Sequence, residues 1–501
     1  MKKTINIKLA FVLLIAAVLG SCQKKLDINQ NPNLPEDAVV TAELILPNAL
    51  HATGVQTALG YGWLSNWMGY WSASGSFNPS TEESSYNITN TFQEGKWSGI
   101  YNTLFDLQKV DEKASAAGQT FYRAISMIMK AHLYQNLVDI YGNVIYSQAF
   151  QPTVYPTPEY DDAAKIYEDL HVKLDSAIGL MKSASVSNKA KEIDIVYGGN
   201  TTLWIKLANT IKLRLLIRAS KVEANPTAEL AKIKANGGVL QSGETADVNP
   251  GYRNDNNRQS PFYAVYGLLV SGEDANTFFR ANAYAIDYLE GNADARLGYF
   301  FKPAKSPTSA SHPYVGTVYG GEPNSAFGGD QTSNVGMGLV RSAEQPQWIV
   351  TSMESMFLQA EAILKGWDVG GPYAGNAQDA YEAAVTESFL WLQVPNAATE
   401  ADDYMQNVAD WASAVDDAER LELIIWQKYI ALTGINPLEA WNDYRRTGFP
   451  GDVPLSINNA RGNRKIPVRL LYPSIEYAVN AGNVAKQGTI NTQTSTLFWD
   501  K

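Results

Sequence analysis

The sequence predicts a mainly α-helical protein with one large, loop-rich elaboration. Three observations carry that prediction. Apolar residues recur at three- and four-residue intervals in long segments spread along the chain, the period of a helix with one buried face. Near the C-terminus two such segments are joined by only a few residues, a tight helix-turn-helix. Residues 240–345, by contrast, hold many Gly, Asn, Ser, Pro and Tyr and little helical period. A structureless loop of that length is improbable, so short strands, turns and a few helices are expected there.

The chain opens with Lys2, Lys3 and Lys8, then an apolar run over residues 9–19 and Gly20-Ser21-Cys22. A basic start, a run too short to span a bilayer and small residues before the break make residues 1–21 a signal peptide. Cys22, the only cysteine, follows Leu-Gly-Ser, which resembles a bacterial lipobox. It is expected to become the acylated N-terminus of the mature protein. Residues 22–40, polar and rich in Asn and Pro, read as the lipidated tether. With a net charge of −11 for the whole chain, nucleic acid is excluded as a partner, since phosphate contact needs a basic face. An anionic lipid surface offers no attraction either, so membrane attachment must come from the acyl chains. Length alone suggests about three domains, but nothing reads as a linker, so residues 41–501 are expected to form one.

Helices are expected over residues 42–57, 97–113, 121–139 and 160–181, the last introduced by Pro156, Pro158, Glu159, Asp161 and Asp162. The segment 194–218 follows, with Trp204, Leu207, Ala208, Ile211 and Leu215 in one stripe and Lys206 and Arg218 outside it. Residues 354–365 and 377–392 form a pair with small alanines at the crossing, the size of a tetratricopeptide repeat. In the C-terminal hairpin, Leu421, Ile424, Ile425, Lys428 and Leu432 mark the first helix, with Gly434 ending it. Asn436 suits the next N-cap, Pro437 the first helical position and Glu439 a capping box, with Gly448 closing the helix.

That hairpin carries EAWNDYRRTG (residues 439–448), followed by IPVRLLYPSIEYAVN (466–480). Together they resemble the C-terminal signature of the SusD/RagB family of nutrient-binding outer-membrane lipoproteins, in the SusD-like branch. Trp441, Tyr444, Arg445 and Arg446 are expected to pack the hairpin on the body rather than to bind ligand. Other motifs agree: LDINQNPN soon after the cysteine, DIYGNVIYSQA (139–149) with Asn143 and Ile145 in place of Asp and Pro, the segment 194–218, and Asp294-Ala-Arg-Leu297 with Ala295 for Pro. The resemblance implies four degenerate tetratricopeptide-type helical pairs packed against the irregular part. It also implies a lid on a SusC-like TonB-dependent transporter, on the outer face of the outer membrane. Lys24 and Lys25 stand where many relatives carry an acidic export signal, so that orientation rests on the resemblance.

No catalytic or metal constellation emerges. His51, His132, His171 and His312 are scattered, with no zinc pattern; there is neither a nucleophile elbow nor a P-loop. Gly336-Met-Gly338 lacks a third glycine and a preceding strand. Asp402-Asp403 and Asp416-Asp417 read as solvated helix caps rather than a glycosidase pair. The expectation is a binding protein, with no cofactor and no metal.

Aromatics make up 11% of the chain, and Trp or Tyr beside Asn, Asp or Arg is a usual way to hold a sugar face or a peptide. The densest group is Trp63, Trp67, Tyr70 and Trp71, continuing to Phe77, Asn78 and Tyr86. Trp63, Trp67 and Trp71 lie on one helical face, which favours core. Gly60, Gly62, Gly69 and Gly75 and the polar loop beyond favour a binding surface. Tyr252 and Arg253 form a second candidate, Tyr314 and Tyr319 with His312 a third. Oligosaccharide and oligopeptide are both open as ligands. A non-catalytic scaffold lipoprotein is the alternative of a different class, and a surface hydrolase a third.

Overall fold

A computed structural model describes residues 40–222, 225–373 and 375–500; the expected signal peptide, Cys22 and nearly all of the tether lie outside them. Helices α1 (Ala42–Leu59) and α2 (Gly62–Trp67) lead into strand β1 (Trp71–Ala73). Then come α3 (Glu94–Ala116), α4 (Thr120–Tyr141), α5 (Ala163–Lys182) and α6 (Thr201–Arg218). The loop-rich part holds β2 (Ala246–Val248) and β3 (Phe279–Ala281), with short helices such as Ala283–Gly291. Strand β4 (Gln347–Val350) returns the chain to α7 (Ser352–Leu364), α8 (Ala377–Trp391), α9 (Ala397–Asn407), α10 (Asp417–Ala431) and α11 (Pro437–Thr447).

Consecutive helices pack on each other: α3 on α4, α4 on α5, α5 on α6, α7 on α8, α8 on α9, and α10 across α7. This is the mainly helical, tetratricopeptide-like body expected. Its centre is α4, buried on nearly every side from Phe121 to Tyr141, its buried polar residues His132, Gln135 and Asp139 satisfied by partners on neighbouring helices. Two small antiparallel ladders fasten the elaboration to it, β1 with β3 and β2 with β4. Arg296 adds a buried clamp: it pairs with Asp294 at 2.6 Å, donates to Ser388 Oγ of α8 and lies over the Phe389 ring.

Several local expectations are met. Asp194 accepts hydrogen bonds from the backbone N–H groups of Val196, Tyr197 and Gly199 and from the Trp204 indole, which explains the motif leading into α6. Asn143 Oδ1 accepts from Ala163 N at 2.9 Å, capping the approach to α5. Gly434 and Gly448 have φ of +69° and +84°. Trp441 is buried, donating to the Pro467 carbonyl, and the Arg445 guanidinium lies 3.4 Å over its ring. The hairpin signature is a packing device.

Four expectations are corrected. Helix α5 begins at Ala163, because Asp161 pairs with Val144 and Asp162 is the N-cap. Asp402 and Asp403 lie inside α9, exposed, whereas Asp416 does cap α10. The capping box closes on one side only: Asn436 accepts from Glu439 N, but the Glu439 carboxylate is taken by Arg218 and Asn442. Arg218 itself, placed outside the stripe, is buried.

That last correction exposes the main feature of the core. Arg218 pairs with Asp139 of α4 at 3.1 Å and with Glu439 of α11. One turn earlier, Arg214 pairs with Glu354 of α7 at 2.9 Å and donates to Gln135 and to His132 Nδ1. Burial and the neighbouring Arg214 hold His132 well below the usual imidazole range, so its Nδ1 is free to accept. Beside them Asp443 bridges Lys428 and Arg446, and Arg446 forks onto Glu361 at 2.6 and 2.8 Å. Buried charges are tolerated only when paired and hydrogen-bonded in this way.

Candidate functional site

The aromatic stretch at residues 63–71 turns inward. Trp63, Trp67, Tyr70 and Trp71 are all buried, Trp67 completely. Trp67 stacks on Phe92 with ring centroids 5.8 Å apart and meets Trp63 edge-on at 4.6 Å; both indoles face Trp441. Tyr70 donates to the Tyr429 carbonyl at 2.6 Å. Trp63 and Trp67 share the core face of the short α2, which prevails over the glycines, but Trp71 is not on that helix: it opens β1 and packs on Tyr266 and Phe279. These rings are therefore corrected from candidate surface to core. Tyr86 and Tyr319 are buried as well, their rings 6.4 Å apart. Tyr252 packs its ring on His51 and only Arg253 of that pair is exposed. Tyr314 is half-buried. The three sequence candidates do not converge on one cleft.

Immediately after β1 the picture changes. Phe77 is 38% exposed and Asn78 is exposed, and here three distant loops meet. Ser74 N donates to the Phe278 carbonyl at 2.8 Å, continuing the β1–β3 ladder. Gly75 N donates to the Phe327 carbonyl at 2.7 Å, and Asn324 N donates back to the Gly75 carbonyl at 2.9 Å. A Cβ at position 75 would stand 2.1 Å from the Asn324 oxygen, so only glycine lets these backbones close. Ser76 Oγ accepts from Gly329 N, and Arg280 donates to the Gly329 carbonyl. Asn276 fixes the remaining loop, accepting from Phe278 N and Phe279 N.

The result is a held surface carrying several rings. Phe77 and Phe278 lie 5.3 Å apart at 52°; Phe327, 39% exposed, comes from the third loop, and Asn78 and Asn324 supply exposed amides. Rings offer a face for C–H groups, and amides donate and accept beside them. Beneath this region the Glu83 carboxylate accepts from Asn66 and Tyr319, and burial pushes its pKa up to about 7.

Phe278, Phe327 and Asn324 escaped the sequence reading. One signal was present: Phe278-Phe279 are adjacent at a strand start, and neighbouring side chains on a strand face opposite ways. Phe279 packs against Trp71, while the half-buried Phe278 ring meets Phe77.

Among the described residues there is no group of three or more His, Cys, Asp or Glu that could hold a metal, and no helix long and apolar enough to cross a membrane.

The fold is shared with solved structures. A SusD homologue of Bacteroides fragilis superposes with a TM-score of 0.74 at 21% identity, covering 92% of this chain and 99% of that one. A SusD/RagB family protein of Bacteroides thetaiotaomicron gives 0.74 at 21%, covering 92% and 99%. A chitin-binding SusD homologue of Flavobacterium johnsoniae gives 0.72 at 24%, covering 92% and 98%. No curated protein matches the sequence. The family model described as "starch-binding associating with outer membrane" matches residues 36–473. With the match spanning most of the chain, the protein belongs to the SusD-like family of outer-membrane-associated binding proteins.

Proposed function

We propose that the protein captures an oligosaccharide at the cell surface and passes it to a SusC-like TonB-dependent transporter, on which it sits as a hinged lid. The observation that carries the ligand class is the loop surface of Phe77, Phe278 and Phe327 flanked by Asn78 and Asn324. Rings that stay exposed on hydrogen-bonded loops lose little conformational freedom when a sugar stacks on them. The family's carbohydrate binding and the chitin-binding relative support the same class. Attachment is through acylated Cys22, after removal of residues 1–21, with the protein facing the cell exterior. Binding and release are the whole mechanism, with no covalent step.

Calorimetry of the detergent-purified lipoprotein against oligosaccharide and oligopeptide panels tests the ligand class. Heat from oligosaccharides that falls with Phe77→Ala is expected. Heat from oligopeptides alone would move the protein to the peptide reading, and silence from both would favour a scaffold. The transporter partnership predicts co-purification of a barrel protein from solubilised outer membrane; recovery of the lipoprotein alone would remove it.

A further inference from the structure

Away from these loops, the helical body itself encloses a cleft. It has a volume of about 670 Å³ and is walled by α3, α4, α5 and the loop that follows α4. That lies within the roughly 300–1,000 Å³ typical of small-ligand sites. Its walls carry three carboxylates and three cations: Asp111, Glu112 and Asp169 against Arg123, Lys130 and Lys173. Arg123 and Lys130 both pair with Asp111, at 3.0 and 2.6 Å, and Lys173 stands 3.7 Å from Asp169. A cleft neutralised within itself selects neither anion nor cation. It does present acceptors and donors side by side, since a paired carboxylate and a paired ammonium keep further bonding positions.

Two aromatic features sharpen the reading. The rings of Tyr134 and Tyr146 meet edge-on at 4.6 Å within the wall, and Phe150 holds a left-handed backbone at φ +64° while its ring meets Phe105 at 5.8 Å. Tyr134 is only 5% exposed and lines the cleft. Among the described residues its hydroxyl has no hydrogen-bond partner, unlike Tyr146, whose hydroxyl donates to Asp169. That hydroxyl is not itself buried: it opens to the cleft, where water or a ligand hydroxyl bonds it.

We infer that the cleft between α3, α4 and α5 is a second binding site, for a neutral polyhydroxylated ligand, with the Tyr134 hydroxyl among its contacts. Sugar hydroxyls both donate and accept, which suits a charge-balanced wall, and the rings suit a pyranose face. The proposal rests on the oligosaccharide reading of the protein but not on the loop surface being its site.

The test uses the full acylated protein in detergent, titrated calorimetrically with neutral maltohexaose, chitohexaose, xylohexaose and mannohexaose. Tyr134→Phe, which keeps the ring, is expected to weaken binding about three- to tenfold, as loss of one hydrogen bond does. Arg123→Ala, a surface change, weakens it as well. Phe77→Ala leaves this component untouched. Heat abolished by Phe77→Ala and unmoved by both cleft variants overturns the proposal and keeps the loop reading. A component that survives Phe77→Ala and falls with Tyr134→Phe supports the cleft; if Phe77→Ala removes no heat at all, the loop reading alone is overturned. Silence from every hexaose overturns both. Loss of transporter co-purification in the cleft variants, with oligosaccharide heat unchanged, reassigns the cleft to a protein contact and overturns the proposal.

Discussion

Arg218 on α6 and Asp139 on α4 form a buried ion pair at 3.1 Å, and each is held by a second buried group: Arg218 by Glu439, Asp139 by the Trp499 indole. Both side chains are at most 1% exposed. Removing one partner leaves opposite charges stranded. Arg218→Ala is therefore expected to destabilise the fold by about 3–5 kcal/mol, measured as a shift in the denaturant midpoint. A change under about 1 kcal/mol would show that the network is not needed for stability.

Trp67 supplies a contrast between packing and binding. Trp67→Ala empties the centre of the Trp63–Phe92–Trp441 cluster and is expected to cost about 3–5 kcal/mol. Phe77→Ala, at an exposed ring, is expected to stay within about 0.5 kcal/mol while oligosaccharide affinity falls roughly fivefold or more. Thermal melts beside calorimetry separate the two. Equal destabilisation by both variants would refute the assignment of Phe77 to the surface.

Gly75→Ala tests whether loop closure matters. The added Cβ meets the Asn324 oxygen and must push two loops apart. Ligand affinity is expected to fall about tenfold or more while helicity by circular dichroism is unchanged. Unaltered affinity would mean that the joined loops are not the site.

Glu83 makes stability depend on pH. Burial raises its folded pKa to about 7 from an ordinary 4.5, so the native state holds a proton that the unfolded state has released. Its contribution is fully favourable below about pH 4.5 and is lost as pH rises through 7. The midpoint temperature of wild type is expected to fall relative to Glu83→Gln between those values. Parallel curves would assign Glu83 an ordinary pKa.

Much of the architecture was legible in local pattern. Stripes such as Trp204, Leu207, Ala208, Ile211 and Leu215 marked α6, and Asn436, Pro437, Gly434 and Gly448 marked the hairpin ends. Polarity misled where burial is ionic: Arg218 is charged, yet a carboxylate from α4 and another from α11 make its burial possible. The candidate binding surface was legible only at Phe77 and Asn78. Its geometry comes from backbone hydrogen bonds between residues about 200 to 250 positions apart, such as Ser74 with Phe278 and Gly75 with Phe327. No spacing within one segment encodes such a meeting.

The buried network also sets an order on biogenesis. Asp139, Arg214 and Arg218 are made early, but Glu354, Glu361, Glu439 and Asp443, which complete the cluster, arrive only with the last third of the chain. A chain made N-terminus first thus carries Arg214 without Glu354, and the Arg218–Asp139 pair without Glu439, until its last third follows. The ionic cluster is therefore completed only when the C-terminal hairpin joins it.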